Sequence, residues 1–419
     1  MTDAPGPRRR LSRHTRLTIT ICATALLLAG AGTALALWLP ENAAQDPAAT
    51  ASPASTPTPE ATKPPTPTPT DSAPKPVRVI AMGDMLPHDS VNANAVAADG
   101  SVSFAPFFAG IQSQLDAADV TFCNQEVPSA GVDFGISGYP TFNTYTEFAR
   151  DLHEGVGCDL VNTATNHTAD KGVAGIAATR DVWDGLKPAA VAGANRSAEE
   201  QRTVPIFEQD GMKIAFVAFA EYSNAPIDGV SLNMMGDTAL VTELMTQARA
   251  NADVVIVSAH WGTEDSHEVN DAQRAFTQQV ADLGADVVIG TGPHVLQPVS
   301  WVDRADGGRT LVWYSIGNML NTQLELDQRT GVIAGFELAR DDAGTVQVTN
   351  PTALLTYMHY DWSAEQEAAN DLMARNTLSI TPLAASDELL QRTRFGVTAM
   401  DQVAASMAIL GPDVTVTVE

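Results

Sequence analysis

From Val77 onward the chain alternates between short apolar runs and stretches in which apolar residues recur at helical spacing. The runs VRVIAMGD (77–84), VTFCNQE (120–126), LVNTATN (160–166), MKIAFVAFA (212–220), DVVIVSAH (253–260) and DVVIGTG (286–292) predict strands. Between them FFAGIQSQLDAA, YTEFARDLHEGV, VAGIAATRDVWDGL, ALVTELMTQARANA and AQRAFTQQVADLG predict helices. Such alternation predicts an α/β fold whose parallel strands are buried on both faces. Further on, RTLVWYSIGN, GVIAGFELAR and GTVQVTN follow one another without a helix, with ADGG as a turn, and predict antiparallel strands that complete a second sheet. After Tyr360, SAEQEAANDLMARNTL, SDELLQRTRFG and AMDQVAASMAIL predict a helical extension (361–419) packed on the main domain (77–360), and VTVTVE reads as an edge strand.

The pattern before Val77 is different. Leu17 to Leu39 holds no charged residue, and about 23 residues at ~1.5 Å each span a bilayer core. Arg8, Arg9, Arg10, Arg13 and Arg16 precede it, so residues 1–16 form a cytoplasmic basic tail and everything beyond the helix lies outside, a single-pass arrangement at the cell membrane. A cleaved signal peptide is the rival reading, with ALA at 34–36 as its cleavage signal. Residues 40–76 are rich in Ala, Thr, Ser and Pro, too poor in large apolar groups to fold, and read as a linker.

Charge sharpens the picture. The formal net charge is -26; the first twenty residues carry about +4, so the rest carries about -30. An exterior this acidic argues against nucleic acid as a partner and suits a domain that attracts cations. The cysteines are Cys22, Cys123 and Cys158, which excludes a disulfide framework. Cys123 and Cys158 lie in apolar strand patterns; two buried thiols are the expectation and a single bridge the alternative.

In α/β sheets ligands gather at the carboxyl ends of strands, and the unusual residues of this chain fall there. Asp84 ends the first strand, Asn124 and Glu126 the second, Asn166 and His167 the third, ahead of Asp170; His260 ends a later one, and His294 follows VVIGTGP. One crevice would collect them. Carboxylate, imidazole and amide oxygen together suit a divalent Mn, Fe or Zn, with Glu126 able to bridge two ions and His167 to protonate a leaving group. Several also have a plainer reading: a turn or N-cap for Asp84, a helix cap for Asn166 and His167 before Asp170, a core imidazole for His260.

The ordered set MGDM, NQE, TNHTADKG, SAHWGTE, IGTGPHVLQP and YSIGN, within Val77 to Met358, resembles the CapA (PgsA) family of bacterial capsule and poly-gamma-glutamate synthesis proteins. That resemblance implies a calcineurin-like metallophosphoesterase fold, with two mixed β-sheets sandwiched between helices. It implies Asp84, Glu126, Asn166, His260 and His294 as metal-facing residues and His167 as the acid or base. Glu264 and Asn318 would line the cleft, and His88 would be an additional ligand. The chain departs from the pattern twice. Thr291 and Gly292 stand where many relatives have a second histidine before the Pro-His pair, and Leu86 occupies the second position of the Asp-x-His spacing of ordinary phosphoesterases. One ion, or a second held weakly, follows from these departures.

Three functions are compatible with this reading. One is a membrane-anchored exterior protein of capsule or poly-gamma-glutamate synthesis, working beside other membrane-bound synthesis proteins, whose metal cleft binds or acts on the polymer. Another is an exported metal-dependent phosphoesterase; the third is a non-catalytic polymer-binding or assembly subunit. An anionic polymer would be repelled by so acidic a domain beyond the ~8 Å screening length of physiological salt. A cationic spot is therefore expected at the contact, from bound metal and from arginines such as Arg304, Arg309 and Arg329.

Overall fold

The computed structural model describes residues 75–418; the basic tail, the apolar segment at 17–39 and nearly all of the linker lie outside the described residues. Among the described residues no helix is long and apolar enough to cross a membrane. The strands are β1 (Val77–Met85), β2 (Val120–Gln125), β3 (Leu160–Asn162), β4 (Ala190–Ala192), β5 (Ile206–Gln209), β6 (Met212–Ala220), β7 (Val254–His260), β8 (Val287–Thr291), β9 (Val299–Asp303), β10 (Arg309–Trp313), β11 (Asn318–Leu320), β12 (Thr330–Arg340), β13 (Val346–Asp361), β14 (Asn376–Pro382) and β15 (Thr415–Thr417).

They form two mixed sheets. One has the order β14-β13-β12-β1-β2-β3-β4, with β11 beside β1 and β15 beside β13; the other has the order β5-β6-β7-β8-β10-β9. The inner faces meet in one apolar layer built from alternate residues: Val77, Val79 and Ala81 of β1 and Phe122 of β2 face Ile214 and Phe216 of β6 and Ile256 of β7. Phe122 and Phe216 touch edge to face across it, centroids 5.9 Å apart. The other parity faces outward: Ile80, Met82, Cys123 and Val161 pack under Phe104, Phe148, Leu152 and Trp183. On the far side Val217, Val255, Val257 and Val288 pack under Leu240, Leu244, Phe276 and Val280 of the helices Thr238–Asn251 and Asp271–Asp282. Both faces of each central strand are buried, which is why these strands read as continuous apolar runs.

Four expectations are corrected. The parallel strands do not share a sheet: β1, β2 and β3 lie in one, β6, β7 and β8 in the other. The late strands divide too: β10 joins β8, while β12 pairs antiparallel with β1 and β13 antiparallel with β12. Cys123 and Cys158 are joined in a disulfide, Cα atoms 5.7 Å apart; apolar surroundings report burial, whereas the pairing depends on the register between β2 and β3. The C-terminal segment is not simply helical. Its first helix, started by the Ser363–Gln366 capping box, stops at Ala368, and Asn370 turns with φ +51. The following NTLSITP, rich in β-branched residues, becomes β14 on the edge of β13.

Candidate metal centre

The carboxyl ends of strands from both sheets meet at one place, so the crevice is made by two rims rather than one. From the first sheet comes an amide ladder. Asp84, Asn124 and Asn162 are register neighbours on β1, β2 and β3; Asn124 Nδ2 donates to Asp84 Oδ1 at 2.6 Å, and Asn162 Nδ2 to Asn124 Oδ1 at 2.5 Å. Asn162 Oδ1 in turn accepts from Ala164 N–H at 2.8 Å and turns the chain out of β3, which is why that strand is shorter than its apolar run. Glu126 follows β2 directly.

The second sheet supplies the imidazoles. His260 ends β7, and His294 lies in the loop after β8 with φ +61. His294 Nδ1 lies 3.1 Å from Asp84 Oδ2 and 3.0 Å from Asn318 Oδ1, and its Nε2 lies 3.8 Å from Glu126 Oε1. His260 stands 3.8 Å from a carboxylate oxygen of both Asp84 and Glu126, while its nitrogens face Thr291 Oγ1 and Asn166 Oδ1 at 3.0 Å each. Asp84, Glu126 and His294 each offer a ligand atom, all within 4.8 Å of one another.

Electrostatics distinguishes the two acids. Burial alone would raise Asp84, but the His294 hydrogen bond, the His294 and His260 charges and the Gly292 N–H outweigh it and hold the group below the usual carboxylate range. Glu126 goes the other way, pushed well up by burial and the Asp84 charge. Its two carboxylate oxygens are buried and meet no hydrogen-bond donor among the described residues. Burial would lower His294; the Glu126 charge and the bond to Asp84 raise it to about 10. His260 is lowered to about 4 by burial. Buried polar atoms are nearly always paired, and Glu126 is unpaired where an imidazole nitrogen stands 3.8 Å away. That gap is too long for a hydrogen bond and suits two ligands of one ion at ~2.0–2.2 Å each. The O, O, N donor set fits a divalent cation.

The other predicted residues divide. Asn166 stands on His260, as described. His167 Nδ1 bonds Asp170 Oδ2 at 2.7 Å, its ring meets Phe142 edge-on at 4.6 Å, and Asn224 Nδ2 lies 3.4 Å from its Nε2. None of Asn166, His167 and Asp170 caps the next helix, Gly172–Leu186, which has Lys171 at its start and no side-chain cap. Asn318 positions His294. Glu264 is exposed at the rim and accepts from the Tyr222 hydroxyl at 3.0 Å. His88 is outside the donor triad: its ring meets Phe142, its Nδ1 faces Thr322 N–H at 3.4 Å, and burial lowers it to about 3.

The positions that depart from the family pattern have structural roles. Leu86 packs with Val127 and Phe142, Thr291 holds His260, and Gly292 N–H donates to Asp84 Oδ2 at 3.1 Å. A Cβ on Gly292, at φ +106, would stand 2.7 Å from the Trp261 carbonyl oxygen. Asn224 and Tyr222 carried no sequence signal, and Asn162 only the weak one of an amide inside an apolar run. The arginines separate as well: Arg304 pairs with Asp286 and Arg309 covers Trp301 at 4.9 Å, both at the amino end of β8 and β10, opposite the crevice.

Residues 78–323 match the family model described as bacterial capsule synthesis protein PGA_cap. The chain belongs to this family. Two relatives are similar over part of their length. One is the PGA biosynthesis protein CapA of Bacillus subtilis (strain 168), 27% identical over 194 residues, 45% of this chain and 50% of that protein. The other is the capsule biosynthesis protein CapA of Bacillus anthracis, 28% identical over 176 residues, 40% of this chain and 41% of that one. The chain thus spans about half the length of these relatives or less. Among solved structures it is similar to the Haemophilus influenzae NAD nucleotidase NadN, at a TM-score of 0.40 and 12% identity over 82% of this chain and 57% of that one. It is also similar to the yellow lupin purple acid phosphatase PPD1, at 0.31 and 11% over 63% and 49%.

Proposed function

We propose that this PGA_cap protein works at the outer face of the cell membrane in the synthesis or attachment of an anionic capsule polymer of the poly-gamma-glutamate kind, held there by its N-terminal apolar segment. Asp84, Glu126 and His294 hold one divalent ion, Mn, Fe or Zn, with His260 and Asn166 beside it. The observation that carries this reading is the buried Glu126 carboxylate, without a donor among the described residues, next to a second carboxylate and two imidazoles. The Cys123–Cys158 disulfide supports export, since such bonds persist in oxidising compartments. When bound, the ion would polarise an amide or phosphoester oxygen of the polymer. The chain's own part is to orient that group and move a proton: Asp170 accepts from His167 Nδ1 and so leaves Nε2 to exchange the proton.

Metal analysis of the purified full-length protein tests the site. About one divalent ion per chain is expected, and an Asp84→Ala, His260→Ala variant that kept stoichiometric metal would refute the assignment. The His167–Asp170 pair also favours a second reading, a metal-dependent phosphoesterase. Under it an aryl phosphate is turned over with Mn, and His167→Ala abolishes turnover; no turnover in the metal-loaded protein removes this reading.

A further inference from the structure

In a chain with twenty-six more acids than bases, two buried arginines form no ion pair among the described residues. Arg329 is 3% exposed and Arg375 5% exposed. Both guanidinium groups lie over the Tyr360 ring, at 3.9 and 5.7 Å from its centroid. Most acids of this region are engaged elsewhere, Asp361 with Arg392 and Glu325 and Glu367 with Arg394; Asp89 accepts from Gly138 N–H and acts on Arg375 only at a distance. Arg329 Nε donates to the Met358 carbonyl and Nη2 to the Tyr357 hydroxyl, leaving three of its five N–H groups without a bond among the described residues. Two neighbouring buried cations that touch no carboxylate among the described residues repel each other and are costly to desolvate. An anion offsets both costs.

Together with Tyr360, Trp362, Arg394, Phe395 and Glu367, whose carboxylate is held by Arg394, Arg329 lines a pocket. Its free volume of about 20 Å³ is close to that of one water position, so it admits the tip of a planar carboxylate and little more. The segment between this pocket and the metal cleft is shared by both. Asn318, which holds His294, donates to the Gln323 side chain at 2.6 Å, and the Gln323 carbonyl accepts from the Tyr360 hydroxyl at 2.8 Å. Arg394 Nη2 donates to the next carbonyl, that of Leu324, at 3.2 Å. We propose that the pocket binds one carboxylate of the anionic polymer whose neighbouring unit occupies the metal cleft, with Arg329 as its buried counter-charge and Arg394 at the rim. The proposal rests on the functional reading above and adds the point at which so acidic a domain grips a polyanion.

Calorimetric titration of the full-length, metal-loaded protein with a γ-linked glutamate oligomer tests it. Arg329→Met and Arg394→Gln are expected to weaken binding, the first by about tenfold or more, the size of one charge-assisted hydrogen bond, with metal content unchanged. Trp362 emission is expected to change on titration, and Trp362→Phe to lose that change. If Arg329→Met does not fold, the Arg394→Gln affinity and the Trp362 signal decide. Wild-type affinity in the arginine variants, a silent Trp362, or displacement of the oligomer by an equal concentration of inorganic phosphate would each overturn the proposal. Chelation separates the two readings. Binding lost on chelation but indifferent to the arginines leaves the cleft reading and removes this one; binding that needs the arginines and ignores chelation keeps the arginine pocket but overturns the placement of the neighbouring unit in the metal cleft.

Discussion

Glu126 is the residue on which the centre turns, because its environment suits a cation and is hostile to a bare charge. Without metal, the carboxylate lies close to Asp84 with no donor on either oxygen among the described residues, and burial and the Asp84 charge disfavour its ionised form. Glu126→Gln removes that repulsion and supplies an amide that can donate to Asp84. The expected result has opposite signs in two states: the metal-free variant unfolds at higher temperature than metal-free wild type, while metal per chain falls. Calorimetry with and without chelator measures both. A variant less stable than wild type when both are metal-free would show that Glu126 is held by something other than a cation. His88 gives a pH prediction away from the ligands. Burial, then the Arg375 charge, lower it to about 3, below its unfolded value of about 6.5. The unfolded state therefore takes the proton first, and stability is lost as pH falls from about 6.5 towards 3. His88→Asn keeps an acceptor for Thr322 N–H and does not titrate, so its transition temperature falls less steeply over that window; parallel slopes would remove His88 as the source.

At the scale of elements, the disulfide fastens β2 to the entry of β3, the two strands that carry Asn124 and Asn162. It closes a 35-residue separation, and the loop-entropy account puts its loss at about 2–4 kcal/mol. Urea unfolding of a Cys123→Ala, Cys158→Ala variant checks the size; a midpoint unchanged from wild type would show that strand pairing alone holds the ladder. Which elements exist was legible in the sequence because each central strand is buried on both faces and each flanking helix on one, and both patterns are local. Which sheet a strand joins was not, since β3 and β8 carry the same kind of apolar run and differ only in tertiary neighbours. The same divide runs through the site. Asp84, Glu126 and His294 stood out as polar groups ending apolar runs, whereas the Asn124–Asn162 bond and the Thr291 hold on His260 depend on register between strands, which no local pattern contains.

At the scale of the molecule, the C-terminal segment is part of the fold rather than an appendage, and a truncation tests this. Leu383, Leu390, Ala399, Val403, Leu410 and Val414 belong to the same apolar layer as β1 and β6. Burying the larger of these side chains contributes about 1.5–3 kcal/mol each, on the order of 10 kcal/mol together, which is comparable to the whole stability of an ordinary domain. Deletion after Asp361 also uncovers the edge of the 16-residue strand β13, a row of unpaired backbone groups that templates aggregation. A chain ending at Asp361 retains Asp84, Glu126, His260 and His294, so a metal site sustained by the main domain alone would survive in it. The expected outcome is that it does not: the truncated protein shows no cooperative thermal transition and no stoichiometric metal. A soluble, cooperatively melting, metal-binding product would mean that the inter-sheet layer closes without its C-terminal residues.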